Sequence, residues 1–399
     1  MLVAGRIETT SKQSDFCYKH ALEHRWSRYG LRKERLALLD QRITFETKRK
    51  TMSLPNIDQE YFVDFLVKLL NIASPTGFAE PAVAFVEREL SQFNQLELSR
   101  TRKGALIAKW AVESDLTPIA LTAHVDTLGA VVKEIKSNGR LRLSRIGGIQ
   151  WPTIETEGVW IFTSKGERIR GSVLIDAASG HIYSGTGKET PRNDEHMEVR
   201  LDARTTSEQE TRQLGINVGD CIAFDPRVEV TNGFIRSRFL DDKACVANIV
   251  TAIKSLAEAG LSPVRTVYFH ISNYEEVGHG ASAGIPSEVA ELVTVDMAVV
   301  GAGQESDEFS ATLCIKDSGG VYHEGLNKKM RSLAEQHGIP YKTDVYPFYG
   351  SDGEAFWRAG GDVALALIGP GIDASHNYER AHMDGLNATT NWIMAYLLD

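Results

Sequence analysis

From residue 58 onward, apolar residues recur at helical spacing. Phe62, Phe65, Leu66, Leu69 and Ala73 fall on one face, Asp58 stands where an N-cap belongs, Pro55 lies just upstream, and "SPTG" (74–77) breaks the run. The spacing therefore predicts a helix starting at Asp58, and "EPAVAFVERELSQF" reads as a second one. "GALIAKWAV" and "PIALTA" (118–123) read as buried strands. After residue 128 the period falls to two: "AVVKEIKSNGRLRLSRIGG", "GVWIFTSKGERIRGSVLI", "EVRLDA" and "DCIAFDPRVEV" are short alternating strands split by Gly and Asn turns. From "KACVANIVTAIKSLAEAG" (243–260) helices and strands alternate again, with Val246, Ile249, Val250, Ile253 and Leu256 on one side of that helix. The pattern predicts an α/β chain with a small all-β unit set inside it.

Residues 1–51 have a different texture, rich in Lys and Arg up to Met52. The expected organisation is a basic N-terminal arm over 1–51, flexible or upstream of a true start at Met52, then an α/β domain in two pieces, 53–128 and 231–399, with a β domain inserted over 129–230. The chain of 399 residues carries a net charge of −9, which disfavours nucleic acid and acidic membrane surfaces as partners. No apolar run is long enough to span a bilayer, and "MLVAG" is too short for a signal-peptide core. Cys17, Cys221, Cys245 and Cys314 form no CxxC motif, so reduced thiols and a cytoplasmic location are expected.

Five stretches bring His, Asp and Glu to predicted strand ends, where open α/β sheets bind ligands. "ALTAHVDTLG" places His124 and Asp126 at strand spacing; "SRFLDDKACVANIV" places Asp241 and Asp242 before a helix; "SNYEEVGHGAS" places Glu275 and Glu276 after an apolar run. "ELVTVDMAVVG" holds Asp296 among apolar residues, and "PGIDASHNYERAHMDGL" holds His376 and His382; His323 is a further competitor. Each stretch alone has a plain alternative: a strand-end cap, a helix N-cap, a solvated charged face, a loop hydrogen bond. Together, two His and several carboxylates suit zinc, cobalt or manganese rather than calcium. Adjacent glutamates are costly when buried unless something positive compensates them.

The motifs "SPTGF", "HVDTLG", "FLDDK", "EEVG", "VTVDM", "YGSDG" and "SHNYE", in that order across 53–399, resemble the metallo-aminopeptidases of the tetrahedral (TET) and glutamyl-aminopeptidase type, peptidase family M42. The resemblance implies a zinc-peptidase-like α/β/α catalytic domain whose all-β insert, PDZ-like or barrel in form, serves dimer contacts. It implies two divalent metal ions per chain, zinc or cobalt first and manganese next. His124 and Asp296 would ligate one ion, Glu276 and His376 the other, and Asp241 would bridge. Glu275 would be the general base, Asp126 would orient His124, and Asp242 would support the turn. Ser351 and Asp352 fall where relatives place substrate-binding residues, although either also reads as a helix N-cap. The implied reaction is hydrolysis of an amide bond near the amino terminus of short peptides by metal-activated water, in a homo-oligomer ranging from dimer to dodecamer.

The text also resembles a subgroup found beside genes for an N-acetylglutaminylglutamine amide osmolyte, so the alternative is deacylase or dipeptidase action on a blocked or amidated dipeptide. His279 stands where relatives carry a non-ligating residue. Related deacylases with a helix-bearing dimerisation domain are disfavoured by the all-β insert and its place before the DD pair. A non-catalytic scaffold is disfavoured by candidate ligands at all five positions. A glycosidase would need two separated acids flanking a sugar and would leave both His unexplained.

Overall fold

The structure, a computed structural model, describes residues 53–114 and 116–399; the predicted arm over 1–51, with Cys17, lies outside them. Helix α1 (Gln59–Leu70) opens at Asp58, whose Oδ1 accepts from the Tyr61 N–H at 3.0 Å. Its stripe of Phe62, Phe65, Leu66 and Leu69 is buried. Helix α2 (Glu80–Leu90) follows, then β1 (Leu96–Arg100), β2 (Leu106–Trp110) and β3 (Ile119–His124). The next six strands are β4 (Gly129–Ile135), β5 (Leu141–Ile146), β6 (Gly158–Phe162), β7 (Arg168–Ile175), β8 (Met197–Leu201) and β9 (Cys221–Phe224). They close into a barrel in the order β4-β5-β8-β7-β6-β9.

The chain then returns through β10 (Glu229–Thr231), β11 (Phe234–Ser237), helix α3 (Leu240–Glu258), β12 (Val267–Ser272), β13 (Glu291–Val295), β14 (Ala298–Val300) and β15 (Ala311–Lys316). Helix α4 (Glu324–His337), β16 (Tyr341–Val345), helix α5 (Asp352–Arg358), β17 (Ala364–Asp373), β18 (Glu379–His382) and helix α6 (Met383–Leu397) complete it. The large sheet runs β1-β2-β12-β3-β13-β17-β18-β11-β10, with β14 and β15 paired to β17 and β16 paired to β15. The boundary expected at residue 230 falls inside β10, which pairs with β11 at the edge of this sheet rather than with the barrel.

At the centre, β12, β3, β13 and β17 run parallel. Side chains alternate across a strand, so one strand feeds two cores. Leu121, Val293, Ala366 and Ile368 join Phe62, Val246, Met330 and Trp392 from helices α1, α3, α4 and α6. Ala120, Leu292, Leu365 and Leu367 point into a second, smaller core with Phe356 of α5. The result is an α/β/α sandwich in which the central strands are buried on both faces, as parallel sheets require. None of the described helices is long and apolar enough to cross a membrane.

Burial separates two phenylalanines cleanly. Phe62 is 0% exposed, so Phe62→Ala should lose about 3–5 kcal/mol of stability through the cavity it leaves. Phe348 is 95% exposed, and Phe348→Ala should change stability by no more than about 0.5 kcal/mol. Urea unfolding of both variants checks the contrast.

Candidate metal centre

The four parallel strands end on one side of the sheet, and the chain past each end delivers polar residues there. His124 is the last residue of β3. Glu275 and Glu276 occupy a 3-10 turn, Glu275–Val277, just beyond β12. Asp296 follows β13, and His376 follows β17. Asp241 comes from the first turn of α3, where it and Asp242 keep non-helical backbone angles.

These side chains converge. His124 Nε2 lies 3.3 Å from Asp241 Oδ1 and 3.7 Å from Glu275 Oε2. His376 Nε2 lies 3.6 Å from Asp241 Oδ2 and 3.7 Å from Glu276 Oε2. Asp241 thus offers one oxygen to each imidazole. One donor atom each from His124, Asp241 and Asp296 falls within 4.8 Å of the others. Asp241, Glu275, Glu276, Asp296 and His376 border a cleft of about 400 Å³ that also touches Ser351, Tyr349 and Glu354. Asp352 does not line that cleft. Its Oδ1 accepts the Ala281 N–H at 2.8 Å and its Oδ2 accepts the Thr122 hydroxyl at 3.4 Å, which anchors the turn after the glutamate pair. The additional His279 is exposed.

The electrostatics explain why a cation belongs here. Burial, reinforced by Asp296, holds the Glu275 carboxyl well above its ordinary range against the pull of His124. Burial and then Asp241 do the same to Glu276. Asp296 is pushed up to about 7, again by burial and then by Asp241. Burial works against a charged His124, but the hydrogen bond to Asp241 and the nearby acids hold its pKa well above the usual value. Burial opposes ionisation of Asp241 too, yet His124 and His376 keep it low. Positive charge is therefore in short supply among these carboxylates, and a divalent cation inverts such shifts. Imidazole nitrogens with carboxylate oxygens and no thiolate form a donor set that fits zinc, cobalt or manganese.

The orientation of His124 differs from the expectation. Its Nδ1 lies 2.9 Å from the main-chain carbonyl of Asp126, while the Asp126 carboxylate stands at 3.7 Å. In the neutral ring Nδ1–H donates to that carbonyl, leaving the Nε2 lone pair directed at Asp241. The Asp126 carboxylate instead accepts the Thr76 hydroxyl at 2.6 Å and the N–H groups of Glu275 at 3.2 Å and Glu276 at 3.4 Å. It holds the turn that carries both glutamates.

Three contributors escaped the sequence reading. Glu379, 2% exposed, accepts the Asp241 N–H at 3.1 Å through Oε2 and the His376 N–H at 3.1 Å through Oε1. It steadies His376, which has a left-handed φ of 64°. Its place three residues after His376 in "SHNYE" was the available signal. Lys103 Nζ donates to the carbonyls of His279 and Gly280, the latter at 2.7 Å, clamping the far side of the glutamate turn. Gly148, in the inserted segment, packs on the second imidazole: a Cβ there would lie 2.9 Å from His376 Nδ1.

Glu379→Ala should leave two main-chain N–H groups without acceptors and loosen two candidate ligands together. The expected result is a roughly 10- to 100-fold loss of metal affinity, as for other groups that orient ligands, measured by chelator competition on the folded variant.

The family model for M42 glutamyl aminopeptidases matches residues 104–391. The chain is 44% identical over 336 residues to YhfE of Bacillus subtilis (strain 168), a candidate aminopeptidase by its name, over 84% of this chain and 96% of YhfE. It is 25% identical to the glutamyl aminopeptidase of Lactococcus lactis subsp. cremoris, over 79% of this chain and 90% of that one. The solved TET1 peptidase of Pyrococcus horikoshii, which can assemble into a tetrahedron or a large octahedral shell, shares the fold with a TM-score of 0.75 at 24% identity, covering 85% of this chain and 99% of that one. A TET aminopeptidase from a marine-sediment Thaumarchaeota archaeon gives a TM-score of 0.76 at 18% identity, over 84% and 96% of the two chains. With most of its length matched by the family model and by a relative at 44% identity, the chain belongs to the M42 glutamyl aminopeptidase family of peptidases.

Proposed function

We propose that this chain is a two-metal aminopeptidase that hydrolyses the amide bond at the amino terminus of short peptides. The observation that carries the reading is the convergence of donor atoms from His124, Asp241 and Asp296 within 4.8 Å, with Asp241 also facing His376. His124 and Asp296 would hold one divalent cation, Glu276 and His376 the other, and Asp241 both. Zinc and cobalt suit this set best, with manganese next. Cations bound there supply Lewis acidity toward a scissile carbonyl and make water a stronger acid.

The protein's own groups do the rest. Glu275 lines the cleft 3.7 Å from His124 Nε2, with its main-chain N–H held by Asp126. Its carboxylate takes the proton from the attacking water and returns it to the departing amine nitrogen. Ser351 and Tyr349 border the cleft where the peptide lies. The catalytic part comprises 53–128 and 231–399, and 129–230 is the insert, with β10 counted in the sheet it pairs with. By likeness to the TET peptidase shells, the working form is a homo-oligomer.

Protein prepared without chelator and reloaded with zinc, cobalt or manganese should carry close to two ions per chain by elemental analysis. Stripping them should lower the melting temperature, because the ions bind only the folded state, and should abolish leucyl-amide cleavage. Absence of bound metal under every loading condition would end this reading.

Glu275→Gln should keep the metal content while kcat falls about 10²- to 10⁴-fold, the usual contribution of a positioned acid–base group. Near wild-type turnover by that variant would assign the proton transfer elsewhere.

A further inference from the structure

The candidate ligands of the two ions are mounted differently. His124 ends β3, and Asp296, just past β13, has its N–H bonded to the Ile368 carbonyl of β17 at 3.0 Å. Glu276 sits on a 3-10 turn, and His376 lies on a loop with a left-handed φ of 64°. One segment of the insert meets both of these. Gly147 and Gly148 follow β5, and a Cβ on Gly147 would lie 3.3 Å from the Glu276 carbonyl oxygen and 3.5 Å from Glu276 Oε2. A Cβ on Gly148 would lie 2.9 Å from His376 Nδ1 and 3.0 Å from its Cε1. Both contacts fall on ligands assigned to the same ion.

The segment is itself tied down. Leu128 packs against Gly147. The Arg145 guanidinium lies 4.7 Å over the Trp151 ring and donates to the Ile149 carbonyl. Arg238 donates to the Thr153 carbonyl of the same segment and, at 3.3 Å, to the Asn377 carbonyl beside His376. No side chain could stand at position 148 without moving the imidazole. To regain ordinary van der Waals separation the ring would retreat by about 0.5 Å, whereas metal–ligand distances tolerate only about 0.2 Å.

We propose that the insert sets the occupancy of the second cation site alone: the Gly147–Gly148 turn positions Glu276 and His376 for one divalent cation, while the ion of His124 and Asp296 depends on the sheet. A chain whose insert is displaced keeps one ion and loses the other. This inference rests on the two-metal reading.

The test removes cobalt from the full, loaded chain with graded chelator. Visible absorption follows the loss, and elemental analysis counts the ions left. Gly148 has no left-handed φ, so Gly148→Ala tests space rather than backbone strain. That variant should hold the second ion about 10- to 100-fold more weakly than wild type and the first with unchanged affinity. Gly180→Ala, in the same insert but with nothing within 4 Å of the added Cβ, should match wild type. In a His376→Ala background the ring is gone, and Gly148→Ala should then change neither the melting temperature nor the affinity for the remaining ion. The same cycle decides the matter if Gly148→Ala alone melts early: a defect relieved by removing the ring sustains the proposal, and one that persists overturns it. Equal weakening of both ions, or weakening of neither, also overturns it. Two ions without peptide cleavage would end the peptidase reading and leave this proposal to the chelator series. No bound ion in the wild type would end both.

Discussion

Four carboxylates, those of Asp241, Glu275, Glu276 and Asp296, meet two imidazoles at the ends of parallel strands, and their mutual repulsion is the constraint the surrounding structure answers. Buried like charges separated by a few ångströms cannot all ionise unless cations join them. Burial first, and the neighbouring acids after it, raise the carboxyls of Glu275, Glu276 and Asp296. A sheet of this kind suits the task. The apolar bodies of β3, β12, β13 and β17 are fixed by cores on both faces, so their ends move little relative to one another. Ligands mounted on those ends inherit that rigidity.

A second ring of acids surrounds the first, and the protein treats it differently. Asp126, Asp242, Asp352 and Glu379 are all buried, but each accepts main-chain N–H groups of the loops that carry the cluster. Asp126 holds the turn of Glu275 and Glu276, Asp242 accepts the His124 N–H, and Glu379 ties Asp241 to His376. The outer ring braces the loops through their N–H groups, while the inner ring presents its carboxylate oxygens to the two imidazoles.

The sequence showed the inner ring better than the outer. Each inner residue stands directly after an apolar run or at the head of a helix, and period-two and period-3.6 patterns locate those points. The barrel was legible for the same reason, as alternating strands punctuated by Gly and Asn. The partners of Asp126 and Glu379 were not, because they depend on which way loop N–H groups face, and loop geometry has no period. The glutamate pair shows the limit well. Two neighbours on a strand would point to opposite faces, but β12 stops at Ser272 and a 3-10 turn brings both carboxylates into the cleft. The place of the DD pair was readable; that Asp241 presents one oxygen to each imidazole depends on its non-helical backbone within the first turn of α3.

The inserted barrel is more than an appendage to this centre. Arg238, 3% exposed, leaves the strand that leads into Asp241 and donates to Glu157 Oε2 at 2.8 Å, to the Thr153 carbonyl, and to the Asn377 carbonyl at 3.3 Å. One guanidinium therefore joins the insert, the approach to Asp241 and the loop of His376. A planar cation with fixed donors is suited to holding three segments in register. Gly148 adds a contact from the insert to the same imidazole. His376 is the most exposed of the candidate ligands, at 40% of its side chain, and its backbone is left-handed. It is the ligand least supported by the sheet, and it is also the one that the insert braces. The position of the barrel and the geometry of the His376 loop are consequently linked through Arg238.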